Sequence, residues 1–271
     1  MQGSIVQSIG LVLAVNARRR GLDPGPFWPS ASMFQFCRSV TFADDFWAGG
    51  DPALVAGDPG RWLDVVSRSA RGAWLHVTQR NDLHISDRES VGLVGGGPRW
   101  IIEIVGDRSS NFFEDSWQVV DPDAADDHIW AVEYRRILSG PPRAPAPQRS
   151  VPRVADDLRA SLARAMEFAG AHLPGFAPAF QNALRSLEAS GPSLGVYHDD
   201  LVPPGLLRPD ARRLLGAAQR AWVFGAMGSW NDVAFERPLL AEHEEISDRL
   251  FSLVVEAAVV ATNTSFSGLP D

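Results

Sequence analysis

SGPPRAPAPQRSVP, residues 139–152, carries five prolines in fourteen positions. Proline fixes its own φ and has no N–H to donate, so this stretch belongs to neither a sheet interior nor a helix interior. It reads as an extended, semi-rigid connector. Before it the apolar residues alternate with period two. After it they recur every three or four residues. The stretch therefore divides the chain into a sheet-rich region (1–138) and a helical region (153–271), expected to pack together as one compact domain.

Four strands are predicted upstream of the connector. GAWLHVTQ (72–79) sets Trp74, His76 and Thr78 on one face, and RWIIEIV (99–105) sets Trp100, Ile102 and Ile104 against Glu103. SWQVV (116–120) carries Trp117, and DHIWAVEYRRI (127–137) alternates through Trp130, Val132 and Tyr134. A further strand is expected at 34–42 and a short helix at 52–67. The connections are too short for helical crossovers, so the sheet is predicted to be an antiparallel meander of about five strands.

Downstream, 153–172 has an apolar stripe through Val154, Leu158, Leu162, Ala165 and Ala169, with Asp156 and Asp157 near its N-terminal end. Residues 176–189 form a second helix, closed by Gly191-Pro192. Pro209 opens a third that runs to about Phe224, and the last spans about Pro238 to Thr262. At the other end of the chain, MQGSIVQSIGLVLAVNARRRG gathers Ile5, Ile9, Val12, Leu13 and Ala17 on one helical face. Arg18 to Arg20 suit its negative end, and Gly21 can cap it. The expected class is α+β: an N-terminal, tryptophan-rich antiparallel sheet covered by about four C-terminal helices plus this N-terminal helix.

Composition excludes several chemistries. All 25 basic residues are arginine. GC-rich codon usage accounts for that bias. A pyridoxal enzyme, a P-loop NTPase and a protein kinase each need a lysine, so all three are disfavoured. The one cysteine, Cys37, can form neither an internal disulfide nor a Cys-rich metal site, and its place in MFQFCRSVTF marks it as a packed thiol. A net charge of -8 argues against a nucleic-acid partner. The N-terminal apolar run is followed, not preceded, by its basic residues, which is the wrong order for a secretory signal. No stretch approaches the ~20 apolar residues of a membrane span. A cytoplasmic protein with no membrane partner is expected.

The functional candidates cluster in three places. FGAMGSWND (224–232) joins two helices; its glycines and small polar residues serve as caps, but Phe224, Met227 and Trp230 are large for a surface turn. The turn is therefore expected to pack inward against the sheet and to fix Asn231 and Asp232 in place. VYHDD (196–200) sets Tyr197, His198, Asp199 and Asp200 side by side, either as acid, base and orienter or as a polar turn. His243 falls on the apolar stripe of the last helix. Serine at 247 excludes the H-E-x-x-H zinc pattern, and no metal site is expected. GPSLG (191–195) matches G-x-S-x-G, but a helix precedes it where a nucleophile elbow needs a strand. GLVGGGP (92–98) leads into a strand, so it reads as a mobile loop or lid and not as a phosphate cradle. The strand tryptophans either fill a core or border a flat apolar pocket.

These readings favour an enzyme acting on a small organic molecule without any cofactor. His243, Asp232, His198 and Asp199 are the catalytic candidates. Trp230, Asn231, Tyr197, Trp74 and Trp130 are the substrate contacts. The alternatives are an acidic binding protein, of an immunity or a sequestering type, with a protein or ligand partner, and a structural subunit of a larger assembly.

Overall fold

The computed structural model describes residues 1, 3–44, 53–80, 84–142, 148–188 and 198–267. In chain order these form α1 (Ser4–Arg19), β1 (Cys37–Asp44), β2 (Ala53–Ala56), α2 (Pro59–Val66), β3 (Gly72–Thr78), the single turn α3 (Asp87–Ser90), β4 (Arg99–Val105), β5 (Ser110–Val119) and β6 (Trp130–Gly140). Four helices follow: α4 (Val151–His172), α5 (Ala177–Glu188), α6 (Pro209–Arg220) and α7 (Leu239–Asn263). The chain is thus α+β, with its strands ahead of its main helical layer. Among the described residues no helix is long and apolar enough to cross a membrane.

The sheet order is β2-β1-β6-β5-β4-β3. The predicted meander is present from β3 to β6, each pair antiparallel. The expectation of a wholly antiparallel sheet fails at one place. β1 runs parallel to β6, with Val40 opposite Val132 and Phe42 opposite Tyr134. The chain leaves β1 through β2 and α2, crosses to the far edge at β3, and returns strand by strand, so β6 comes to lie beside β1. Residue alternation marks a strand but not the direction of its neighbour. The predicted helix at 52–67 is in fact β2 followed by α2. Asp58 caps α2 by accepting from the Arg61 N–H at 2.8 Å, and Pro59 occupies its first turn.

Helix α1 departs further from expectation. Its apolar stripe predicts one buried face, yet every residue from Ile5 to Ala17 is buried. The helix packs on β3 and β4 and also against α2 and α7, so it lies inside the molecule. Gly21 closes it with φ 68°, and the Leu22 N–H reaches back to the Ala17 carbonyl at 2.9 Å. Its polar residues face partners. Gln7 donates to the Met33 carbonyl (3.1 Å) and to Cys37 Sγ (3.0 Å).

Asn16 of α1 and Asn263 of α7 solve a second problem. β3 is an edge strand, and a bare edge invites pairing with another chain. The Asn16 amide donates to the Ala73 carbonyl (2.9 Å) and accepts from the Ala73 N–H (2.7 Å). Asn263 does the same for Leu75, at 2.9 and 2.8 Å. Two buried side-chain amides thus stand in for a neighbouring strand.

Register assigns the faces. Val77 is opposite Trp100 and Leu75 opposite Ile102, whereas Trp74 is opposite Glu103. Ile102 continues to Phe113, and Trp117 lies opposite Val132. Trp100, Trp117 and Trp130 therefore share the helix-covered face. Trp74 lies on the other, packed edge-on against Phe266. Trp74 therefore stands apart from the other three strand tryptophans, because in β3 it pairs with Glu103 and not with the Trp100 and Ile102 face.

Candidate functional site

Between the three covered indoles and the helices lies a cavity of about 540 Å³. Trp100, Trp117 and Trp130 form its sheet wall. The opposite side comes from the N-terminal end of α1, from the 32–37 segment with His198, from the glycine-rich stretch 91–96, and from Trp222 to Ala226. The last of these is the start of the inward-reading turn. The glycine-rich stretch is packed against that turn: a Cβ on Gly92 would stand 2.4 Å from the backbone of Gly225 and Ala226. Gly97 (φ 79°) donates to Ser90 Oγ at 3.0 Å, which ties the stretch back to α3. Position 92 admits only glycine, since two backbones touch there.

Asp115 is the carboxyl of this cavity. β5 carries it on the same face as Trp117, two residues on. Ser4 Oγ donates to Asp115 Oδ1 at 2.8 Å, and the Trp117 indole N–H donates to Oδ2. Burial raises the Asp115 pKa despite these donors. Cys37 also borders the space, but burial pushes its thiol up to about 11, so it stays protonated and unreactive. The Arg99–Glu114 pair, with contacts of 2.6 and 2.5 Å, borders it as well.

A second polar group faces the cavity from the α1 side. His198 is buried, with Nδ1 2.7 Å from Ser32 Oγ and Nε2 3.2 Å from the Met1 carbonyl oxygen. Asp200 accepts the Ser32 N–H at 2.7 Å and also contacts Ser32 Oγ. Burial lowers the His198 pKa. Among the described residues no group of three or more His, Cys, Asp or Glu is disposed to hold a metal ion.

The nominated residues are dispersed. His198 and Trp130 border the cavity. Asp199, beside His198, points to solvent, and it is Asp200 that joins the histidine and Ser32. Tyr197 and the GPSLG serine lie outside the described residues. His243 and Trp230 belong to an aromatic cluster within the helical layer. The His243 ring is 4.9 Å from Trp230, 5.3 Å from Phe235 and 5.8 Å from Phe168. Trp230 is fully buried there, its indole N–H donating to Ser247 Oγ at 2.7 Å. Asn231 is engaged by Arg88, accepting from its guanidinium (3.2 Å) and donating to its carbonyl (2.6 Å). Asp232 is exposed and closes its own turn, accepting the Gly228 N–H at 2.8 Å. Met227, expected inside, is 92% exposed. So the turn does send Trp230 and Phe224 inward, but Trp230 goes among the helices and only 224–226 reaches the cavity.

His243 bears on stability. Its Nε2 makes no hydrogen bond among the described residues, and burial, then the Arg88 guanidinium, lowers its pKa. A histidine held neutral when folded still titrates near 6.5 when unfolded. Its stabilising contribution is therefore complete above about pH 6.5 and is lost as pH falls below that value. His198 adds to the same slope. Thermal unfolding should show the melting temperature dropping between pH 7.5 and pH 5. His243→Phe should flatten that drop; an unchanged slope would remove His243 from the account.

Asp115, Ser4 and Ser32 were not nominated from the sequence. No known protein family, curated protein or solved structure matches this chain.

Proposed function

We propose that the protein is an enzyme for a small, largely apolar, ring-bearing molecule, which it holds against the indole wall and converts by acid–base chemistry. The observation that carries this reading is Asp115: a carboxyl with a raised pKa beside Trp117, on the wall of a cavity of about 540 Å³. A volume of that size suits a small-molecule ligand. A carboxyl that keeps its proton nearer neutrality is a competent general acid. The indoles offer flat apolar surface, and each aromatic contact is worth about 0.5–1.5 kcal/mol. Ser4 and Trp117 orient the carboxyl. No step here calls on a lysine-bound cofactor.

The test has two arms. The neutral fluorophore phenylnaphthylamine should bind with enhanced emission, and Trp117→Ala should weaken binding by roughly tenfold. Small aromatic esters, lactones and enones that displace the fluorophore should then be converted to product. Displacement without conversion of any of them would favour the sequestering, non-catalytic reading. Failure of the fluorophore to bind would remove the cavity from the account.

A further inference from the structure

We propose that Ser32 is a nucleophile and His198 its base, serving acyl transfer from an ester or lactone whose apolar body lies in the indole-lined cavity; this rests on the reading of that cavity as the site. Both residues border the cavity, with Ser32 Oγ 2.7 Å from His198 Nδ1. The tautomer follows from the other ring nitrogen. Nε2 faces the Met1 carbonyl oxygen, which can only accept, so Nε2 carries the proton. In the neutral ring Nδ1 then presents its lone pair to the serine hydroxyl. That is the relation a Ser–His pair requires.

Asp200 completes the group. It fixes Ser32 by accepting its backbone N–H at 2.7 Å, and its carboxylate offsets part of what burial and then the Met1 amino group cost the imidazolium formed when His198 takes the proton. A serine that merely closed the short turn at 32–34 would need Asp200 alone. Here the single hydroxyl proton faces two acceptors, Asp200 Oδ1 and His198 Nδ1. Ser32 is half-buried and lines the cavity.

In the first step Ser32 Oγ forms a bond to the acyl carbon while its proton passes to Nδ1. The bond from that carbon to the leaving oxygen breaks, and Asp115, the acid of the cavity, gives the leaving oxygen its proton and recovers one from the imidazolium. Water then attacks the acyl-serine, giving up its proton through His198. The carboxylic acid departs and the serine hydroxyl is restored.

The whole protein, treated with an alkyl fluorophosphonate, should form an Oγ–P bond with loss of hydrogen fluoride. Peptide mapping by mass spectrometry should find the adduct on Ser32. Labelling should be about 100-fold slower in His198→Gln and should rise with pH as the histidine loses its proton. An adduct on Ser4 or Ser116 in place of Ser32, or no adduct, overturns the assignment. The phenylnaphthylamine measurement on the same sample tells the two readings apart. Retained fluorophore binding with no Ser32 adduct discards only the nucleophile. Absence of both discards the cavity with it.

Discussion

Asn16→Ala and Asn263→Ala are each expected to destabilise the protein by about 2–5 kcal/mol. Each substitution leaves one N–H and one carbonyl of β3 without a partner in a buried setting, at about 1–3 kcal/mol per group. In a chain of 271 residues each kcal/mol lowers the melting temperature by roughly 2–4 °C, so drops of about 5–15 °C should follow. Asn→Asp should not rescue either site, because it keeps the acceptor, removes the donor and adds a buried charge. Hydrogen exchange gives an independent readout. The Ala73 amide should lose protection in the Asn16 variant, and the Leu75 amide in the Asn263 variant. A loss under about 0.5 kcal/mol with both amides still protected would show that water satisfies the edge equally well.

The second large effect is expected at Asp115. Asp115→Asn keeps the shape and an acceptor oxygen for Ser4, but it sets an amide NH2 against the Trp117 indole N–H and cannot transfer a proton. Turnover of whichever substrate is found should fall by about 10²–10⁴-fold, with fluorophore affinity within about threefold of the parent. Stability should move the opposite way. A carboxyl whose folded pKa is raised binds its proton more tightly in the folded state. Its contribution is full below the unfolded value of about 3.9 and is lost as pH rises through the folded value. At neutral pH the loss of the buried charge should therefore raise the melting temperature by more than the loss of the Trp117 hydrogen bond lowers it. Lost turnover with gained stability is the pattern of a group retained for chemistry. Lost stability with intact turnover would make Asp115 a structural residue.

Strong periodicity made much of the fold legible. β4 has the predicted bounds, β3 differs by one residue at its end, and α4, α5 and α7 end within two residues of expectation, whereas α6 stops at Arg220, short of the expected Phe224. What escaped was what periodicity does not encode. A strand pattern is silent on whether its neighbour runs parallel, which is why β1 beside β6 was missed. A stripe of isoleucine, valine and leucine on α1 hides the fact that its other faces hold Gln7, Ser8 and Asn16 because those faces are buried too. Asp115 was within reach. Beginning β5 at 110 and not at 116 would have given it the parity of Trp117, leaving a carboxyl on an inward-facing position. Ser32 and His198 are 166 positions apart and share no local signal. Asp232 comes from the turn and His243 from the apolar stripe of α7, yet the turn divides its residues among the cavity, the aromatic cluster and solvent, and His243 lies in the cluster.

The central claim is that one cavity, walled by sheet indoles and by the 222–226 turn, receives the ligand. The tryptophan side-chain N–H resonances test it most directly, observed in an assigned ¹⁵N–¹H spectrum during titration with phenylnaphthylamine. The resonances of Trp100, Trp117, Trp130 and Trp222 should shift together with one saturation curve, while those of Trp62, Trp74 and Trp230 stay in place. Shifts centred on Trp74 or Trp230, or no shifts at saturating fluorophore, would contradict it.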